Sequence, residues 1–181
     1  QSDDLSSKVP SSEKEWNSVL ELIDRAIDLD PKYARAWALK SKAHNSVAIF
    51  ASSSLAAREH YAAQISALKA VELRPDIPDG YMAMGNIKRS RCELIEAGES
   101  FNTAFSLISE PLSGSEFMIG HFYSLVGDFK KANKLLEEMR QNDPLHKEVR
   151  SNYFLSIGLM GNMQKAEKEY EDGKALFGDQ W

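Results

Sequence analysis

With 181 residues, 43% of them hydrophobic, the chain is long enough to bury the core of one extended domain, and its 22 basic against 27 acidic residues leave a net charge of -5. That balance argues against nucleic-acid binding by this segment and against general attraction to anionic lipid, both of which need an excess of clustered cations. A single cysteine, Cys92, excludes an intramolecular disulfide framework and any multi-cysteine metal site, and it reads as a semi-buried helix residue. The most apolar short run, Ser46 to Ala51, falls far below the roughly 18 to 20 residues of a membrane-spanning helix, so no membrane insertion by this segment is expected. It reads as a soluble segment, of cytoplasm or periplasm.

The first stretch, residues 1–12 (QSDDLSSKVPSS), is polar, Ser-rich and interrupted by Pro10, and is expected to be a linker or disordered, because it cannot bury enough surface to offset the entropy of ordering. From Glu13 the apolar residues recur at helical spacing: Leu20, Ile23, Ala26 and Ile27 form one stripe before Asp30-Pro31 stops the helix and restarts the next. The same break returns as LRPD at Pro75, SEPL at Pro111 and NDPL at Pro144. Small residues that let two helices approach stand at Ala63, Ala97, Ala132 and Ala166, separated by 34, 35 and 34 residues. An internal helical repeat follows.

Laid over these periods, the pattern W-x2-L-G-x2-Y, A-x3-F, P of the tetratricopeptide repeat (TPR) resembles the chain unit by unit. Residues 78–112 match most fully, with Tyr81 at the Trp position, Met84-Gly85, Ala97-x3-Phe101, Ala104 and Pro111, and depart at Lys88, where Tyr is usual. Residues 113–146 supply Ile119-Gly120-x2-Tyr123, a Gly127-Asp128 turn, Ala132, Leu136 and Pro144; residues 147–181 repeat the turn as Gly161-Asn162, then Ala166-x3-Tyr170. The unit 34–77 holds Trp37 in place but sets Ala63 29 residues after Ala34, where the period implies 19, so it is overlong around Ser46 to Glu59. Its Ala-rich flanks favour longer helices over a bulging loop. Residues 13–31 form a partial repeat with a second helix only. The chain also ends in an apolar LFGDQW and reads as a segment of a longer protein.

The resemblance implies an all-α, right-handed superhelical array of antiparallel helix pairs, about four pairs plus a leading helix. Trp37, Tyr81, Phe101, Tyr123 and Tyr170 are then core residues. No catalytic, metal or cofactor site is expected. His44, His60, His121 and His146 are scattered, and no H-E-x-x-H, G-x-G-x-x-G, P-loop or G-x-S-x-G occurs. The acidic clusters Glu137-Glu138 and Glu167 to Asp172 alternate with Lys and read as solvated faces. The cations Lys88, Arg89 and Arg91 complement the C-terminal end of a helix dipole.

In the family, the first helix of each pair lines a concave groove that holds a protein or peptide. Carried over, the inward positions are Arg35, Lys42, Asn45 and Ser46, then Asp79, Met82, Asn86 and Arg89, then Phe117, His121 and Ser124, and finally Glu148, Ser151 and Leu155. The two-carboxylate clamp of chaperone-binding members is not matched, because Ala38, Ala83, Gly114 and Met118 stand where it needs polar or basic groups. LDPKYARAW, the overlong unit, LRPD, NDPL and KALFGDQW further resemble TPR segments attached to bacterial class III adenylate cyclases or winged-helix transcription regulators. A sensory or regulatory interaction module is the function this implies. Self-association into a homodimer is the alternative, and a helical enzyme using His121 a third.

Overall fold

The computed structural model describes residues 12–108, 116–178 and 181; the expected linker before Ser12, Pro111 and Gly114 lie outside the described residues. Among the described residues the chain is all-α, with helices α1 (Glu13–Leu29), α2 (Ala34–Phe50), α3 (Ser53–Leu73), α4 (Pro78–Ser90), α5 (Leu94–Leu107), α6 (Phe117–Leu125), α7 (Phe129–Asn142), α8 (Lys147–Leu159) and α9 (Met163–Phe177). Four antiparallel pairs therefore follow one leading helix. By internal contacts the chain divides into two units, Gln1–Leu107 with α1 to α5 and Ile108–Trp181 with α6 to α9. No described helix is long and apolar enough to cross a membrane.

In the first unit, Ser12 accepts a hydrogen bond from the Glu15 N–H and starts α1. The helix buries Trp16, Ile23 and Ile27 against Ala36, Ala43 and Val47 of α2, with Leu20 and Ala26 at the edge. Asp30 turns the chain by accepting from the Lys32 N–H at 3.0 Å, and Trp37 closes the corner by donating its indole N–H to the Pro31 carbonyl at 2.9 Å. The extra length of the second repeat goes into both helices: α2 has 17 residues, α3 has 21, and only Ala51 and Ser52 separate them. The lengthened pair is tied across by His44 Nδ1 and Glu59 Oε2, 2.6 Å apart, with Glu59 buried. Ala63 and Ala67 of α3 then pack on Ala83 and Ile87 of α4.

Within two of the pairs a signature glycine meets the bulky residue of the facing helix. A Cβ on Gly85 would stand 2.7 Å from the Phe101 ring, and one on Gly120 would stand 2.7 Å from Leu136, so the A-x3-F position fills the space a glycine leaves on the facing helix. Phe101 and Tyr123 are buried, as expected, and Trp37 and Tyr81 are half-buried. Tyr170 departs from the expected core: its ring rests on Phe154 at 5.9 Å and is 41% exposed, because α9 is the last helix of its unit and no further described helix covers that face.

The turns inside three of the pairs share one conformation. Gly127 and Gly161 have φ of 82° and 80°, and Cys92, at the corresponding place between α4 and α5, has φ of 61°. The Glu93 N–H to Lys88 carbonyl bond (2.9 Å) and the Asn162 N–H to Ile157 carbonyl bond (3.2 Å) close the helix end in the same way. Cys92 is thus an exposed turn residue and not a semi-buried helix residue; a helix needs a left-handed residue to stop here, and the sequence supplies a Cβ where its sister turns have none.

The second unit corrects one further expectation. Glu169 does not lie on a solvated face: it is 5% exposed and pairs with Arg150 at 2.5 Å, with Arg140 at 3.7 Å from its other oxygen. Arg150 stands six residues after Pro144, the spacing of Trp37 from Pro31, and its Nε donates to the Pro144 carbonyl at 2.7 Å as the Trp37 indole does at Pro31. An arginine in that buried place carries charge, and Glu169 offsets it. Burial pushes the Glu169 carboxyl above its ordinary range despite the pull of Arg140 and Arg150, so desolvation dominates there.

Two outcomes follow. Cys92→Gly relieves the left-handed strain, and the gain, reduced by glycine's larger unfolded-state entropy, is about 0.5 to 1 kcal/mol, or ~1 to 4 °C in Tm by calorimetry; an unchanged or lower Tm would show that the turn is unstrained. Glu169→Ala leaves Arg150 buried and unpaired and is expected to cost about 3 to 5 kcal/mol in urea unfolding, whereas Arg150→Met with Glu169→Leu recovers most of that loss. Equal instability of the single and double variants would refute the ion-pair account.

Candidate functional site

In the first unit α2 and α4 run side by side in the same direction, because Arg35 near the start of α2 faces Asp79 near the start of α4 (Nε to Oδ1, 3.6 Å), and Asn45 late in α2 faces Ser90 at the end of α4 (Nδ2 to Oγ, 3.2 Å). These are the first helices of adjacent repeats, the elements that carry the inward positions. Arg35 and Lys42 are exposed, Ser46, Asp79, Met82, Asn86 and Arg89 are half-buried, and Asn45 is buried. The seam is therefore a charged rim over a polar floor, with Met82 as its apolar member.

Three atoms of that floor have no hydrogen-bond partner among the described residues: Asn45 Oδ1, Asn86 Oδ1 and Arg89 Nε, all buried. Burial pushes the Arg89 guanidinium below its ordinary pKa. The basic cluster expected at this helix end is divided by the structure. Lys88, in the place of the usual Tyr, reaches back to α5 and donates to Ser100 Oγ (3.1 Å) and the Glu96 carbonyl (3.4 Å). Arg91 donates to Gln64 (3.1 Å) and pairs with Glu93 (2.9 Å). Of Arg89, the buried Nε has no partner among the described residues.

In the second unit Phe117 is half-buried, its ring 5.8 Å from that of His146. His121 Nδ1 lies 2.6 Å from Asn152 Oδ1, while Asn152 Nδ2 donates to the Glu148 carbonyl at 2.7 Å. With its amide nitrogen committed, Asn152 presents an acceptor, which places a proton on His121 Nδ1. Ser124 spends its hydroxyl on the Gly120 carbonyl of its own helix (3.2 Å). Of the fifth-repeat positions, Glu148 and Leu155 are exposed and Ser151 is half-buried. Ala38 and Ala83 are buried and Met118 half-buried, so these clamp positions offer no polar side chain.

Sequence reasoning missed Ser90 and Asn152, the residues that orient Asn45 and His121. Ser90 lies one residue past Arg89 and was within reach of the repeat register. Asn152 is off that register, and only packing of α6 beside α8 brings it to His121.

The described residues thus define a protein of antiparallel helix-pair repeats. Neither a protein-family model nor a curated relative matches the sequence. Solved structures do. TTC0263, a thermophilic TPR protein of Thermus thermophilus, is 17% identical, with 92% of this chain and 85% of that chain covered and a TM-score of 0.70. YrrB, described as a TPR protein with an unusual peptide-binding site, is 19% identical over 87% of this chain and 75% of that one (TM-score 0.62). The Cut9–Hcn1 hetero-tetramer of the APC/C gives 15% identity over 91% of this chain and 29% of that one (TM-score 0.64). The fold is the TPR fold.

Proposed function

We propose that this chain is a protein-interaction scaffold that holds a peptide along the seam of α2 and α4, binding it without chemical conversion. What carries the reading is the pairing of exposed Arg35 and Lys42 with half-buried Met82 and a floor of unbonded polar atoms on two parallel first helices. A rim of solvated charge with an apolar anchor and a few converging polar groups suits a short peptide. The peptide-binding site in the description of YrrB supports the same use of the fold. The parent setting we infer is a sensory or regulatory module of a larger bacterial signalling protein, an adenylate cyclase or a winged-helix regulator. Its support is the run of LDPKYARAW, LRPD, NDPL and KALFGDQW. Panning the 181-residue chain against a random hexapeptide library is expected to enrich a sequence that Met82→Glu weakens about tenfold, with an unchanged helical circular dichroism spectrum. Failure to enrich any peptide, or enrichment indifferent to Met82→Glu, would remove this reading.

A second reading, self-association, rests on the second unit. Leu155 and Leu159, one turn apart on α8, and Met163 on α9 are all more than half exposed. Apolar surface of that kind is buried when copies pair. If they form an interface, light scattering gives a dimer mass that Leu155→Glu with Leu159→Glu converts to monomer; a monomer at every concentration tested would dismiss it.

A further inference from the structure

We propose that the outer face of α3 is the surface through which two copies of this chain pair, as an antiparallel contact of α3 on α3 about a two-fold axis beside Ile65. The inference goes beyond the peptide seam and uses none of its residues.

The distribution of side chains on α3 is the reverse of an ordinary amphipathic helix. Its buried face, where it packs on α2 and α4, is made of Glu59, Ala63, Ser66, Ala67 and Ala70. Apart from Glu59, which answers His44, these are small residues that let the neighbouring helices approach. The bulky apolar residues stand on the opposite side. Tyr61, Ile65 and Leu68, at i, i+4 and i+7, are 67%, 47% and 49% exposed and form one continuous stripe. The second helix α7 shows what a face turned to water needs, exposing Lys130, Lys134, Glu138 and Gln141. Large apolar side chains gathered in one exposed stripe mark a surface that is covered in an assembly.

The charges at the two ends of the stripe identify what covers it. Arg58 and Glu72 lie seven residues to either side of Ile65, on the same face and both exposed. Arg58 has no ion-pair partner among the described residues. Glu72 meets Lys69 of its own helix at 2.9 Å, yet its side chain stays 68% exposed. Two copies of α3 laid antiparallel about an axis at Ile65 bring Arg58 of each to Glu72 of the partner subunit, twice over. Tyr61 and Leu68, four and three residues from Ile65, then fall at the level of Leu68 and Tyr61 of the partner subunit. Parallel pairing would set Arg58 on Arg58 and Glu72 on Glu72, and like charges held together oppose binding. An apolar centre with opposite charges equally spaced on either side is complementary to itself under a two-fold rotation, which is the condition of an isologous interface. A second copy of this chain therefore fits the stripe by symmetry as well as by polarity.

The test is sedimentation equilibrium of the full 181-residue chain from micromolar to millimolar concentration, because a contact one helix wide lies at the small, weak end of interface sizes. A monomer–dimer equilibrium is expected. Ile65→Glu sets two carboxylates together at the axis and is expected to give a monomer with an unchanged helical circular dichroism spectrum. Arg58→Glu and Glu72→Arg each meet a like charge at two symmetric places and are expected to weaken the dimer about tenfold, whereas the two combined exchange the signs and restore it. Leu155→Glu with Leu159→Glu is expected to leave this dimer intact, which separates it from pairing through α8 and α9. A monomer at every concentration, self-association indifferent to Ile65→Glu, a doubly reversed variant no stronger than the single ones, or a dimer abolished by the two leucine substitutions overturns the proposal. The peptide-holding reading stands or falls separately, on the Met82→Glu experiment.

Discussion

Two of the helix pairs depend on close approach at one position, where a residue without a large side chain on the first helix receives a bulky one from the second. Gly85 against Phe101 and Gly120 against Leu136 are the two clear instances, and in each a single added methyl would stand inside the van der Waals envelope of its neighbour. In these two pairs the contact sets how closely the helices cross and hence which residues of the first helix remain outside the core. The seam of α2 and α4 exists for this reason. Ala83 and Gly85 turn inward, and their neighbours Met82, Asn86 and Arg89 are left to line the surface.

A second constraint acts at the corners between repeats. The turn at Pro31 is closed by the Trp37 indole and that at Pro144 by the Arg150 guanidinium, both donating to the proline carbonyl from six residues on. Indole and guanidinium share a planar N–H donor but differ in charge. The exchange therefore propagates: a buried guanidinium in the fifth repeat requires Glu169 on α9, and Arg140 joins from α7. Three helices of the second unit are bound together by what began as a substitution at one signature position. An apolar solution of similar volume serves as well or better in stability, so the pair is best understood as the consequence of Arg150 rather than as a source of net strength.

These two constraints explain what was legible in the sequence. The Pro breaks, the 34-residue spacing of small residues and the turns at Gly127-Asp128 and Gly161-Asn162 are local or strictly periodic, and they located the helices and their pairing. The lengthening of α2 and α3 was also readable, since Ala-rich flanks around Ser46 to Glu59 favour helix over loop. Side-chain partnerships that cross between helices were not. Glu169 sits in the run EKEYED, whose alternation with Lys is that of a solvated face, and only the unusual Arg150 one helix earlier withdraws it from solvent. Cys92 resembles its helical neighbours in sequence because a left-handed turn residue is marked only when it is glycine. In the candidate site, the register placed Asn45, Asn86 and Arg89 on first helices. It reached Ser90 by position but not its bond to Asn45, which depends on how α2 packs beside α4.

That orientation fixes which hydrogen-bonding group Asn45 presents. An exposed asparagine is indifferent to its ligand, because its amide can turn to offer either a donor or an acceptor. Asn45 has lost this freedom: burial removes water as an alternative partner, and the chain from Asn45 Nδ2 through Ser90 Oγ to the Asn86 carbonyl runs in one direction only. An unpaired buried oxygen costs about 1 to 3 kcal/mol, so two of them and an unpaired guanidinium nitrogen in one seam weigh measurably against the free protein. The direction of each bond in this chain is therefore set by the fold, and net charge has no part in it.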